Sequence, residues 1–178
     1  MPDRLKRLDV VYQHSPIYFV TACTANRQSV LATEAIHRAF KNFAESGPPY
    51  GAWVGAYVLM PDHLHLFVAI DDHRIRLAAW MKSLKGKVST ELRAAGYIPP
   101  YWQKGFFDHV LRSGESYSEK WSYVRNNPVR AGLARSWKEW RTAGRFLIWS
   151  STTPASDQSA TVRDRRYSRQ CPDRINRM

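Results

Sequence analysis

The chain predicts an α+β domain, an antiparallel sheet with helices packed on one face. Three observations carry this prediction. Short runs of β-branched and aromatic residues are bounded by turn formers, separate stretches place apolar residues at helical spacing, and the two kinds alternate along the chain. The sequence has 178 residues, enough for one domain with a tail. We place the domain at residues 1–149 and a flexible basic tail at residues 150–178, where the sequence turns polar and then arginine-rich without a sustained apolar period.

Ile17 to Thr24 (IYFVTACT), bounded by Pro16 and Asn26, reads as the first strand. Thr33 then offers an N-cap to EAIHRAFKNFAE, which sets Ile36, Phe40 and Phe43 on one helical face before Gly47-Pro48-Pro49 ends it. Trp53 to Met60 and His63 to Ile70 are extended apolar runs separated by Pro61-Asp62, a pair suited to a β-hairpin. Leu77, Trp80 or Met81, Leu84, Val88 and Leu92 recur at helical spacing, with Lys82, Lys85, Lys87 and Arg93 mostly at other angles, so a second helix has a basic flank. Phe106 to Arg112 is a short fourth strand. A third helix starts near Ser116, which stands in capping-box spacing with Glu119, and runs until Pro128 stops it. Strand, helix, strand, strand, helix, strand is the ferredoxin-like or RRM-like plan, whose second sheet face is expected to be open to ligands.

Lys and Arg number 27 against 15 Asp and Glu, a net charge of +12 that points to a polyanionic partner, nucleic acid first. No apolar run is long enough to span a bilayer, so no membrane is expected. Two cysteines, Cys23 and Cys171, are too few for a disulfide framework or a Cys-based zinc site, and Met1 to Val10 lacks the apolar stretch of a secretory signal. A cytoplasmic, nucleoid-associated protein is the expectation.

Side chains alternate along a strand, so His63, His65 and Phe67 share one face while Leu64, Leu66 and Val68 share the other. The leucines belong to the core. The two imidazoles then stand side by side on the open face, a geometry in which two His residues hold one divalent metal. On the third helix, Tyr117, Trp121 and Val124 form a stripe that should pack on the sheet. Lys120, Tyr123 and Asn127 line a second face suited to phosphate chemistry. Each of these patterns has a plainer explanation, as surface histidines or as ordinary boundary tyrosine and helix-ending asparagine.

PDHLHLF resembles the His-hydrophobe-His motif of the HUH endonucleases, and SYVRNNPVRAGL resembles the tyrosine helix of the single-tyrosine, IS200-like transposases. The similarity is closest to the REP-associated tyrosine transposase branch and runs from about Tyr18 to about Trp140. It implies the HUH endonuclease fold, with Tyr123 as nucleophile, His63 and His65 as metal ligands, and Asn127 as the third protein ligand, where some relatives carry Gln. It also implies a divalent metal, Mg²⁺ or Mn²⁺, a covalent 5′-phosphotyrosine, and single-stranded or hairpin DNA of REP type as substrate for a monomer or homodimer. Lys82, Lys85, Lys87, Arg112, Arg125 and Arg130 are the expected phosphate contacts. Trp102, Phe106 and Phe107 are candidates for base stacking or for core. Two other functions fit the same residues. One is a non-catalytic nucleic-acid-binding module of RRM-like fold, the other a metal-dependent hydrolase that uses water.

Overall fold

The computed structural model describes residues 15–111 and 117–146. Arg112, Ser116 and the segment from 150 onward lie outside these residues, as does the beginning of the chain.

Strand β1 (Ile17–Cys23) is followed by helix α1 (Glu34–Glu45), the hairpin strands β2 (Ala52–Leu59) and β3 (His63–Ile70), helix α2 (Leu77–Ala94) and strand β4 (Phe107–Val110). Thr33 caps α1, its hydroxyl accepting from the Ile36 amide at 3.3 Å. Strand order is β4-β1-β3-β2, the ferredoxin-like arrangement, extended at the β2 edge by a short β5 (Ala143–Arg145). Every strand pairing is antiparallel. The prediction had no β5, because Ala-Gly-Arg has no strand signature of its own. Tertiary bonds hold it there: the Leu59 carbonyl accepts from the Thr142 hydroxyl at 2.9 Å and the Trp140 indole at 3.0 Å.

Two apolar layers form, one on each side of the sheet. Leu64, Leu66, Val68 and Ile70 of β3 join Val20 and Ala22 of β1 beneath α1 and α2, which contribute Ile36, Phe40, Trp80, Met81, Leu84, Val88 and Leu92. Trp80 and Met81, alternatives in the periodicity, are both buried there. The opposite layer holds Phe19, Ala56, Val58, Met60, Phe67 and Val124.

That second layer corrects the expected open face. Helix α3 (Tyr117–Arg125) lies over it, and β3 is buried along its whole length. Tyr117, Trp121 and Val124 do form the packing stripe. Val124 is buried, a contribution of roughly 1.5–3 kcal/mol. The Tyr117 ring meets Phe67 edge-on at 4.6 Å between centroids. β2 carries a bulge between Val54 and Tyr57, so Tyr57 and Leu59 face the α1 side while Ala56, Val58 and Met60 face α3. The Tyr117 hydroxyl accepts from the Ala56 amide in this irregular stretch at 3.1 Å. Helix and bulge thereby satisfy each other.

Pro128 does not simply stop the third helix. α3 ends at Arg125, and Pro128 sits in the first turn of a short helix α4 (Asn127–Arg130). Proline is tolerated there because the amide it lacks would have no intrahelical partner.

Candidate active site

β3 is the central strand, and its odd-numbered side chains build the site. His63 pairs with Cys23 and His65 with Thr21 in the β1 register. Directly opposed residues of an antiparallel pair point to the same side. The His63 and His65 rings lie edge to face with centroids 4.7 Å apart. Phe19 stacks on His65 at 5.5 Å. His65 is only 1% exposed and His63 4%, far more enclosed than surface histidines. They remain on the side opposite the leucines.

Both rings are engaged at Nδ1. His63 Nδ1 donates to Asp62 Oδ1 at 2.7 Å, and His65 Nδ1 lies 2.8 Å from the Thr21 hydroxyl. Nε2 is therefore the nitrogen with which each ring can address a cation, the usual arrangement when a supporting hydrogen bond sets the tautomer of a ligating histidine. Burial, with His63 and Arg27 nearby, holds the His65 imidazole well below its ordinary pKa, so it is neutral, the form that can ligate. Burial alone would raise the Asp62 carboxyl, but the hydrogen bond and charge of His63, with Arg27, bring it below the usual range. In the sequence, Asp62 read only as a turn residue and Arg27 had no assigned role. The only signal was a charged residue beside a histidine, which is commonplace.

The helix residues form a second group. Tyr123 is 45% exposed, with the Arg130 guanidinium 4.2 Å from its ring centroid. Asn127, at the start of α4, is 4% exposed. Its Oδ1 accepts a long 3.5 Å hydrogen bond from Arg130 Nη1, and its Nδ2 has no hydrogen-bond partner among the described residues. A buried amide left half-satisfied costs about 1–3 kcal/mol.

Among the described residues no three His, Cys, Asp or Glu side chains gather as a metal cluster. The donors to weigh are instead two imidazole nitrogens and an amide oxygen. Such a set fits Mn²⁺ or a similar first-row ion better than Mg²⁺, and leaves coordination positions for phosphate oxygens and water.

The other basic residues differ in their surroundings. Lys82 is exposed on α2, and Lys87, also exposed, pairs with Glu91 at 3.4 Å. Lys85 donates to the carbonyls of Gln103 and Gly105 and lies 5.4 Å from the Trp102 ring, and burial lowers its pKa. It ties α2 to the loop before β4. Arg125 stacks on Trp137 at 4.8 Å. Trp102 and Phe106 pack against the leucine layer and Phe107 against the histidine-side layer, so all three serve packing. His109 stands opposite Phe19 in the β4 register, on the imidazole side.

A sheet of ferredoxin-like order, a His-x-His pair on its central strand and a tyrosine-bearing helix over the same face define an HUH-type nucleic-acid-processing class. The chain belongs to the IS200-like transposase family, whose model matches residues 12–127. It is 23% identical over 126 residues to a REP-associated tyrosine transposase of Escherichia coli (strain K12), with 69% of this chain and 72% of that one aligned. The fold is shared with a REP-associated tyrosine transposase solved bound to a REP hairpin. The TM-score is 0.59 at 21% identity, covering 82% of this chain and 90% of the other. No helix among the described residues is long and apolar enough to cross a membrane.

Proposed function

We propose that this protein is a metal-dependent strand transferase that cuts and rejoins single-stranded DNA through a covalent 5′-phosphotyrosine on Tyr123. The observation that supports this most is the pair of buried imidazoles, each tied at Nδ1, on the sheet face that carries the tyrosine helix. The RRM-like binding module would use the histidines and the tyrosine as base contacts, and the burial of both imidazoles counts against it. The substrate we assign is REP-like hairpin DNA, on the strength of the E. coli relative and the hairpin-bound structure.

His63 Nε2, His65 Nε2 and the Asn127 amide oxygen would hold the cation, Mn²⁺ or Mg²⁺, which when bound polarises the scissile phosphate and offsets charge developing on it. Tyr123 Oη attacks phosphorus in line, forming the tyrosine–phosphate bond as the bond to the 3′ oxygen breaks. The phenolic proton leaves to solvent, and the departing oxygen takes up a proton to become a 3′-hydroxyl. Attack by a 3′-hydroxyl on the phosphotyrosine reverses the exchange and releases the phenol. Since the ester bond is conserved in the adduct, no nucleotide cofactor is required. Arg130, resting on the Tyr123 ring, would contact a phosphate there, and exposed Lys82 on α2 would contact one farther along the DNA.

Incubation with a REP-like hairpin oligonucleotide and Mn²⁺ should give a protein–DNA adduct that survives denaturation. An adduct still formed by Tyr123→Phe would overturn the nucleophile, and a free 5′-phosphate without any linked protein would indicate attack by water instead.

A further inference from the structure

The carboxylate of Asp62, at the tip of the β2–β3 hairpin, is shared between two partners. Oδ1 accepts from His63 Nδ1 at 2.7 Å and Oδ2 accepts from Arg27 Nε at 2.8 Å. Arg27 is itself constrained, since its Nη1 donates to Cys23 Sγ at 3.0 Å. The hairpin backbone is held separately. The Asp62 carbonyl accepts from the Thr24 amide and the Thr24 hydroxyl, both at 2.9 Å, while the Pro61 carbonyl accepts from the Val30 and Leu31 amides, each at 2.8 Å. Asn26 and Arg27 have φ of 51° and 56°. Two consecutive non-glycine residues in the left-handed region are uncommon. They turn the chain just after Cys23, in the segment that carries the Arg27 guanidinium to Asp62.

We infer that Asp62, braced by Arg27, is a positioning residue for the metal centre. It dictates the His63 tautomer with hydrogen on Nδ1 and a lone pair on Nε2, and it sets the plane of that ring. The inference rests on His63 being a ligand, as proposed above. An ionised carboxylate only accepts, so a neutral His63 facing it must carry its hydrogen on Nδ1. Thr21 imposes no such rule on His65, because a hydroxyl both donates and accepts. The two ligands are thus held differently: the tautomer of His63 is dictated and that of His65 is permitted. Arg27 acts one step further out, occupying the second carboxylate oxygen so that Asp62 cannot swing away from the ring.

The test uses the full chain with ¹⁵N-labelled histidine. Long-range ¹H–¹⁵N spectra recorded without metal read the His63 tautomer, and Mn²⁺ titration by calorimetry reads affinity. The wild type should show hydrogen on Nδ1. In Asp62→Ala that preference should vanish and Mn²⁺ binding weaken by about 10- to 100-fold, the usual cost of losing an outer-shell partner. Asp62→Asn, which keeps the side-chain shape and guards against a folding defect, should fall between, and Arg27→Ala should give a smaller loss in the same direction. An unchanged His63 tautomer in both Asp62 variants overturns the inference, as does unchanged Mn²⁺ affinity in both while His63→Ala abolishes binding. If His63→Ala leaves Mn²⁺ binding intact, the ligand assignment fails instead, and the metal-free spectra still decide whether Asp62 orients the ring.

Discussion

The two faces of β3 are buried alike but built from different chemistry. Toward α1 and α2 the strand presents Leu64, Leu66, Val68 and Ile70, packed among aliphatic and aromatic neighbours. Toward α3 it presents His63 and His65 before Phe67 and Ala69, with Thr21 buried beside them. A buried polar group costs stability unless it is partnered, and a partnered one contributes little more than a well-packed apolar group would. The first face is explained by folding alone. The second keeps polar side chains that folding alone does not call for, which is the physical reason to look for function there.

The contrast is broken most completely at Tyr123. Tyr123→Phe should remove the covalent adduct altogether on a denaturing gel while shifting unfolding stability by no more than about 0.5 kcal/mol, as expected for an exposed side chain. Leu66→Ala should do the reverse. Chemical denaturation should show a loss of about 2–5 kcal/mol from cavity formation, with Mn²⁺ binding retained wherever the protein is folded. A sharper comparison removes the polar pair as a unit. Thr21→Val with His65→Leu should leave stability within about 1 kcal/mol of wild type, or raise it, because both partners of one hydrogen bond become apolar together. The same double variant should lose Mn²⁺ binding in calorimetry. Tyr117→Phe, which deprives the Ala56 amide of its acceptor, should cost about 1–3 kcal/mol and loosen α3, visible as faster amide exchange at Ala56.

The smallest effect belongs to His37, whose Nε2 lies 2.8 Å from the Tyr57 hydroxyl. Burial, and then Lys41, lower its pKa below the ordinary 6.5 despite Glu34. A base depressed in the folded state binds fewer protons there than in the unfolded chain. Its contribution to stability is present above pH 6.5 and is lost as pH falls through the lowered value. His37→Gln should flatten that part of the stability–pH curve.

Much of the framework was legible because it depends on local pattern. The N-cap at Thr33, the two apolar runs around Pro61-Asp62 and the spacing of Leu77, Leu84, Val88 and Leu92 each mark an element without reference to the rest of the chain. The His-x-His pair was legible for the same reason, since alternation in a strand assigns faces from sequence alone. What escaped needed partners distant in sequence. The β2 bulge is set against β3 and Tyr117. β5 forms by pairing with β2, with Thr142 and Trp140 bonded to Leu59 over eighty residues away, and the Asp62–Arg27 pair forms through an unusual turn after β1.

The amino-acid order by itself determined which side chains of β3 face the leucine layer and which face away; the single helix it suggested for Tyr123 and Asn127 is in fact two, α3 and α4. Only the tertiary structure decided that the second face is covered, that its histidines are buried and held by Asp62 and Thr21, and that α3 lies on their side. Periodicity is a property of neighbours along the chain. Burial and hydrogen-bond partnership depend on which distant segments meet, and that is settled when the helix docks on the sheet.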